Sequence, residues 1–142
     1  MKLSKILGLL LLSTVLMISC SSDDDEVVKD NPQEIEMFVK THFPNNAFLK
    51  ITKDVSDNSY DVTLAGNIEL EFNRNLEITS IESVTKLPDS VIPAKIRSYV
   101  ATNYPNNMIV GWELEATMQQ IELNNGMELL FTMSGDFAGV DV

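Results

Sequence analysis

The chain contains one unit written twice. Residues 34–54 read EIEMFVKTHFPNNAFLKITKD, and residues 95–115 read KIRSYVATNYPNNMIVGWELE. Ile35, Val39, Thr41, Pro44, Asn45 and Asn46 return as Ile96, Val100, Thr102, Pro105, Asn106 and Asn107. Phe38 and Phe43 return as Tyr99 and Tyr104. Downstream, VTLAGNIELEF (62–72) lies over IELNNGMELLF (121–131), so that Leu64, Glu69, Leu70 and Phe72 recur as Leu123, Glu128, Leu129 and Phe131. A repeat of about 55–60 residues decides architecture before any local preference does. The repeated positions are apolar residues and turn residues, so the repeat speaks to fold and not to chemistry.

Within each copy the hydrophobic period changes once. Ile35, Phe38 and Val39 are spaced i, i+3, i+4, one face of a helix, and Ile96, Tyr99 and Val100 repeat that spacing. Asn31 reads as the cap of the first helix, Pro32 as its first residue and Glu34 as the acid of a capping box. The second helix is expected from near Asp89 or Ser90 to about Asn103, with Pro93 in its first turn. Phe43-Pro44-Asn45-Asn46 ends the first helix, since proline cannot continue it and asparagine favours turns.

Beyond that point the period is two. Leu49 and Ile51, then Tyr60, Val62 and Leu64, then Ile68, Leu70 and Phe72 alternate with polar neighbours, and residues 76–83 make a fourth strand. In the second copy strands are expected at about 108–115, 119–123, 127–132 and 136–141, with Asn124-Asn125-Gly126 as a hairpin turn. The expected fold class is α+β: two tandem helix-plus-four-strand repeats forming one broad antiparallel sheet with helices on one face. The copies divide at 32–86 and 87–142.

Alternation also assigns the faces. Ile68, Leu70 and Phe72, with Met127, Leu129 and Phe131, point toward the helices, whose own stripes need burial. Asp61, Thr63, Glu69, Glu71, Glu122 and Glu128 then form an open acidic face, with Leu130 among the acids. Trp112 alternates with Val110 and Leu114 and is assigned to the core. Phe48 and Ile109 have the opposite parity to Leu49 and Val110, which puts them on the wet face as apolar docking residues beside Leu130.

The N-terminus is of a different kind. Residues 1–19 carry Lys2 and Lys5, an apolar run over 6–18 and Ser19 before Cys20, the pattern of a secretory signal. Its apolar run falls short of the roughly 20 residues of a membrane span. Cys20 is the single cysteine and has no partner for a disulfide. Leu16-Met17-Ile18-Ser19-Cys20 resembles a bacterial lipobox, with Met17 where leucine is usual, and this implies lipid on Cys20 as the attachment to the membrane. Residues 20–31 read as an acidic flexible tether, because a run of like charges repels itself. Ser22-Asp23-Asp24-Asp25-Glu26 resembles the surface-export signal of Bacteroidetes-type lipoproteins, which implies the cell surface rather than the periplasmic face of the outer membrane.

The formal net charge is −11, and loss of Lys2 and Lys5 with the signal takes it to −13. Such a surface repels nucleic acid and anionic headgroups, so a protein partner should offer a basic patch. The inventory for chemistry is poor. There is one histidine, His42, read as a polar residue near a helix C-terminus, and no phosphate loop or paired-His metal spacing. Glu69 and Glu71 flank Leu70 on a regular strand and read as a solvated face rather than as a glycosidase pair. No catalytic residue, metal ligand or cofactor is assigned.

The ordered set of a helix ending in Phe-Pro or Tyr-Pro, then YDVTLAGNIELEFNRN, LPDSVIPAKIRSYVATNYPNN and IELNNGMELLFTMSGDF, resembles the PepSY-like, or beta-lactamase-inhibitor-like, family of exported Bacteroidetes proteins. The resemblance covers nearly all of 32–142. It implies two tandem units in one antiparallel sheet and does not imply an enzyme. Its relatives by fold include inhibitors that grip an enzyme with the concave sheet face. Those carry disulfides, whereas this chain has no cysteine beyond Cys20, and no inhibitory contact residue carries over. The leading expectation is a non-enzymatic, lipid-anchored envelope protein that binds a protein or peptide through the open sheet face. The alternative is a small-ligand or glycan-binding accessory of a surface uptake system, marked by aromatics in a groove. A hydrolase would show a cleft holding two carboxylates of perturbed acidity.

Overall fold

A computed structural model describes residues 25–27 and 31–141. The signal segment 1–19, Cys20 and most of the expected tether lie outside the described residues. The order of elements is β1 (Asp25–Val27), α1 (Gln33–His42), β2 (Phe48–Asp54), β3 (Tyr60–Leu64), β4 (Ile68–Phe72), β5 (Ile78–Ser83), a 3-10 turn (Asp89–Val91), α2 (Ala94–Asn103), β6 (Ile109–Leu114), β7 (Met118–Leu123), β8 (Glu128–Thr132) and β9 (Phe137–Asp141). All strands form one antiparallel sheet in sequence order, β1 to β9. Eight strands come from the two repeats. The ninth, β1, is three residues of the expected tether, paired along Thr52–Asp54 at the edge of β2.

The repeats join where β5 meets β6, with Ser80 opposite Glu113, Ile81 opposite Trp112 and Glu82 opposite Gly111. One apolar row crosses the whole sheet through this seam: Ile51, Val62, Leu70, Ile81, Trp112, Ile121, Leu129 and Val140, each opposite the next. The helices cover this row. Ile35 and Val39 of α1, and Ile96 and Val100 of α2, are buried in the same core as Leu70, Phe72, Leu129 and Phe131. Each such side chain contributes roughly 1.5–3 kcal/mol by leaving water.

The repeated sequence makes repeated contacts. Phe38 meets Phe72 edge-on at 5.4 Å, and Tyr99 meets Phe131 edge-on at 5.4 Å. Phe38 lies 6.4 Å from Phe43, and Tyr99 lies 6.4 Å from Tyr104. The Pro-Asn-Asn turns end both helices and tie them to hairpins. Asn46 Nδ2 donates to the carbonyl of Ala65, while Asn107 Nδ2 donates to Asn124, whose side chain also accepts from the Met108 backbone N–H.

Local expectations needed correction at several points. Pro32 is the residue before α1 and not its first residue, and no side chain caps that end. The second helix does not run from Asp89: a separate 3-10 turn ends at Val91, Ile92 is extended, and Pro93 precedes α2 instead of lying in its first turn. In each case the proline has a polyproline-like ψ, which its fixed ring tolerates and a helical residue would not.

Bulges matter more. Phe48 pairs with Leu64 but Lys50 with Thr63, so Leu49 is an extra residue; Ile109 pairs with Leu123 but Gly111 with Glu122, so Val110 is its equivalent. One extra residue reverses the faces before it. Phe48 packs on the core and Ile109 is part of it, so neither is a docking residue on the wet face. Leu49, expected inside, is 65% exposed. Trp112 is half-buried at the margin of the core, with its indole N–H donating to Gln119 Oε1 at 3.0 Å. Gln119 in turn donates to the backbone carbonyls of Thr132 and Met133.

Candidate functional site

The face of the sheet away from the helices is built from two rows that run across all eight repeat strands. One row reads Thr52, Asp61, Glu71, Ser80, Glu113, Gln120, Leu130, Gly139. The other reads Lys50, Thr63, Glu69, Glu82, Gly111, Glu122, Glu128, Asp141. Asp61, Glu69, Glu71 and Glu122 are exposed there, while Glu128 and Leu130 are half-buried. Sequence reasoning missed Glu82, Glu113 and Asp141, which share these rows. Extra residues in β5 and β9 interrupt the alternation ahead of Glu82 and Asp141, whereas Glu113 was open to parity, being adjacent to the core-assigned Trp112.

The two rows thus hold eight carboxylates and one cation, Lys50 at the β2 end. Cross-strand neighbours of like charge are Asp61 with Glu71, Glu69 with Glu82, Glu122 with Glu128, and Glu128 with Asp141. Like charges directly opposite destabilise a sheet. Ion pairs among the described residues include Glu36–Lys40, Lys86–Asp89, Asp89–Arg97 and Lys95–Asp136. The strain is visible at Glu71, whose pKa is raised by partial burial and then by the charges of Asp61, Glu113, Glu82 and Glu69.

At the seam Gly111 has no side chain, and the face dips there. The depression holds about 70 Å³ and is bordered by Glu82, Glu113, Glu122 and Glu128. That is about two waters' share of liquid volume. A Cβ at residue 111 would come within 2.9 Å of the Glu122 Cβ, so this pair of strands approaches closely only because residue 111 is glycine.

His42 has a partner that sequence did not suggest. Its Nδ1 lies 2.8 Å from Ser90 Oγ, and the Phe38 ring is 4.5 Å away. Partial burial lowers the imidazole pKa. The Ser90 hydroxyl and the Phe38 ring together fix the orientation of the imidazole. The contact ties the end of α1 to the turn that leads into the second repeat. A groove of about 480 Å³ lies along α2, lined by Arg97, Asp89, Lys86, Met108 and one aromatic, Tyr104. Among the described residues no group of three or more His, Cys, Asp or Glu is placed to hold a metal ion, and no helix is long and apolar enough to cross a membrane.

Three solved structures resemble this fold over nearly their whole length. One is described as a "putative calcium-regulated periplasmic protein" from Bacteroides thetaiotaomicron; it is 27% identical, with a TM-score of 0.78 over 84% of this chain and 98% of that one. The second is a "putative periplasmic protein" from Bacteroides vulgatus ATCC 8482, 32% identical, with a TM-score of 0.76 over 85% and 99%. The third, from the same organism and of unknown function, is 31% identical, with a TM-score of 0.76 over 83% and 99%. No curated protein matches the chain. A family model described as "Putative beta-lactamase-inhibitor-like, PepSY-like" matches twice, over residues 25–80 and 58–138. With two matches that span both repeats, the chain belongs to the PepSY-like, beta-lactamase-inhibitor-like family.

Proposed function

We propose that this chain is a non-enzymatic cell-envelope protein, held to the membrane by lipid on Cys20, that binds a basic protein or peptide segment on the open acidic face of its sheet. One observation carries the reading: two adjacent rows set eight carboxylates against a single lysine. Glu71 is already penalised for its charge, and a cationic partner would relieve that penalty. Charge of one sign over a broad surface also steers an oppositely charged partner. The family's inhibitor-like description supports the grip of an enzyme as one form of such binding. Calcium belongs to the description of one relative, and the spacing of the carboxylates here supports a polycation in preference to a single ion.

Photo-reactive side chains at Thr63 and Gln120 on the open face, and at Met37 and Thr102 on the helices, test the face directly. Adducts from the first pair alone are expected; adducts from the helices alone would overturn the assignment. The anchor is tested by Cys20→Ser, which should move the protein from the membrane fraction to the soluble one. The periplasmic descriptions of the relatives support an envelope protein, and the Ser22–Glu26 run supports the outer surface. Protease treatment of intact cells separates the two sides.

A further inference from the structure

The seam that joins the repeats has counterparts at both ends of the sheet. In repeat one, Ser80, Ile81 and Glu82 of β5 face Glu113, Trp112 and Gly111 of β6. In repeat two, β9 takes the place of β5: Val140 pairs with Leu129 as Ile81 pairs with Leu70, so Gly139, Val140 and Asp141 are the equivalents of the β5 triplet. β2 takes the place of β6: Ile51 pairs with Val62 as Trp112 pairs with Ile121, so Lys50, Ile51 and Thr52 are the equivalents of the β6 triplet. The outer edge of β9 therefore presents to solvent the kind of edge that β5 presents to β6.

Set in the seam's register, β9 of one copy and β2 of another would bring Gly139 opposite Thr52, Val140 opposite Ile51 and Asp141 opposite Lys50. The apolar and the charged rungs are complementary, and Gly139 brings no side chain against Thr52. Val140, 43% exposed at the end of the apolar row, would extend that row into the next molecule. The charged rung pairs an acid with the one lysine of the acidic rows, a better match than the internal seam, where Glu82 is merely accommodated by Gly111. The seam already joins two acidic half-sheets, so net charge does not forbid the arrangement. We propose that copies of this chain join head to tail, β9 of one against β2 of the next, and that β1 is the strand that holds this assembly off. β1 lies along Thr52–Asp54, so it and an incoming β9 compete for the same edge. The interface is heterologous, so repeated use of it builds a ring or an open array according to the rotation between copies.

The test uses the full chain with Cys20→Ser, which keeps it free of lipid. In sedimentation it should be monomeric. Adding Glu26→Pro with Val27→Pro removes a β1 donor whichever way the pairs alternate, and assemblies should then grow with concentration. Lys50→Glu or Asp141→Lys in that background should weaken assembly about tenfold, and Lys50→Asp with Asp141→Lys together should restore it. A chain that stays monomeric without β1, or an assembly indifferent to both reversals, would overturn the proposal. Lys50→Cys with Asp141→Cys in the same background gives a second readout: a ladder of disulfide-linked chains is expected on oxidation, and its absence would count equally against it.

Discussion

Gly111 shows how much one missing side chain settles. It stands at the seam, opposite Glu82 on one side and Glu122 on the other. Gly111→Ala forces a Cβ against the Glu122 Cβ, an atom with no freedom to move aside. The expected cost is about 1–3 kcal/mol in urea unfolding. Leu76 shows the opposite economy. It has φ +63° in the β4–β5 turn, where its counterpart Gly135 has φ +81°, so repeat one holds a left-handed position with a leucine that also packs on the core. Glu71 makes a pH prediction. Its native pKa is raised above 4.5, so the folded state keeps the proton longer than the unfolded state. Its contribution to stability therefore falls as pH rises from the ordinary glutamate range through the raised native value. Glu71→Gln should remove that slope and stabilise the protein at neutral pH by up to about 0.5 kcal/mol, the exposed carboxylate being largely screened. Thermal melts across pH 4 to 7 check both parts.

At the scale of elements, the helices and third strands of each repeat were legible because their signals are uninterrupted. Ile35 and Val39 on α1, and Ile68, Leu70 and Phe72 on β4, bury as their spacing requires. Phe131 is fully buried beneath Tyr99 and Phe137, and Phe131→Ala should cost about 3–5 kcal/mol in the same unfolding experiment. Bulges were not legible. Leu49 and Val110 have the composition of ordinary strand residues, and the extra residue becomes apparent only from pairing with β3 and β7. That is why Phe48 and Ile109 were assigned to the wrong face; the extra Thr79 of β5 likewise interrupts the alternation ahead of Glu82. The helix starts were misjudged for a different reason: proline is compatible with the first helical turn and with the residue before it, and sequence does not choose between them.

Over the whole molecule, the repeat and the seam produce a single sheet with one buried and one open face. Its two surfaces differ in kind. The helix side carries ion pairs such as Glu36–Lys40 and Lys95–Asp136, whereas the open rows gather like charges. A partner that binds through those rows should bind more weakly as salt rises, because the Debye length shortens to about 8 Å at physiological ionic strength. The most direct measurement is cross-linked capture from the native envelope with two baits: the chain itself, and a variant with Glu69, Glu71, Glu122 and Glu128 each changed to Lys. Circular dichroism should show the same fold for both, since all four side chains lie on the open face. A basic partner should be captured by the first bait and lost from the second. Equal capture by both would contradict the acidic face as the binding site.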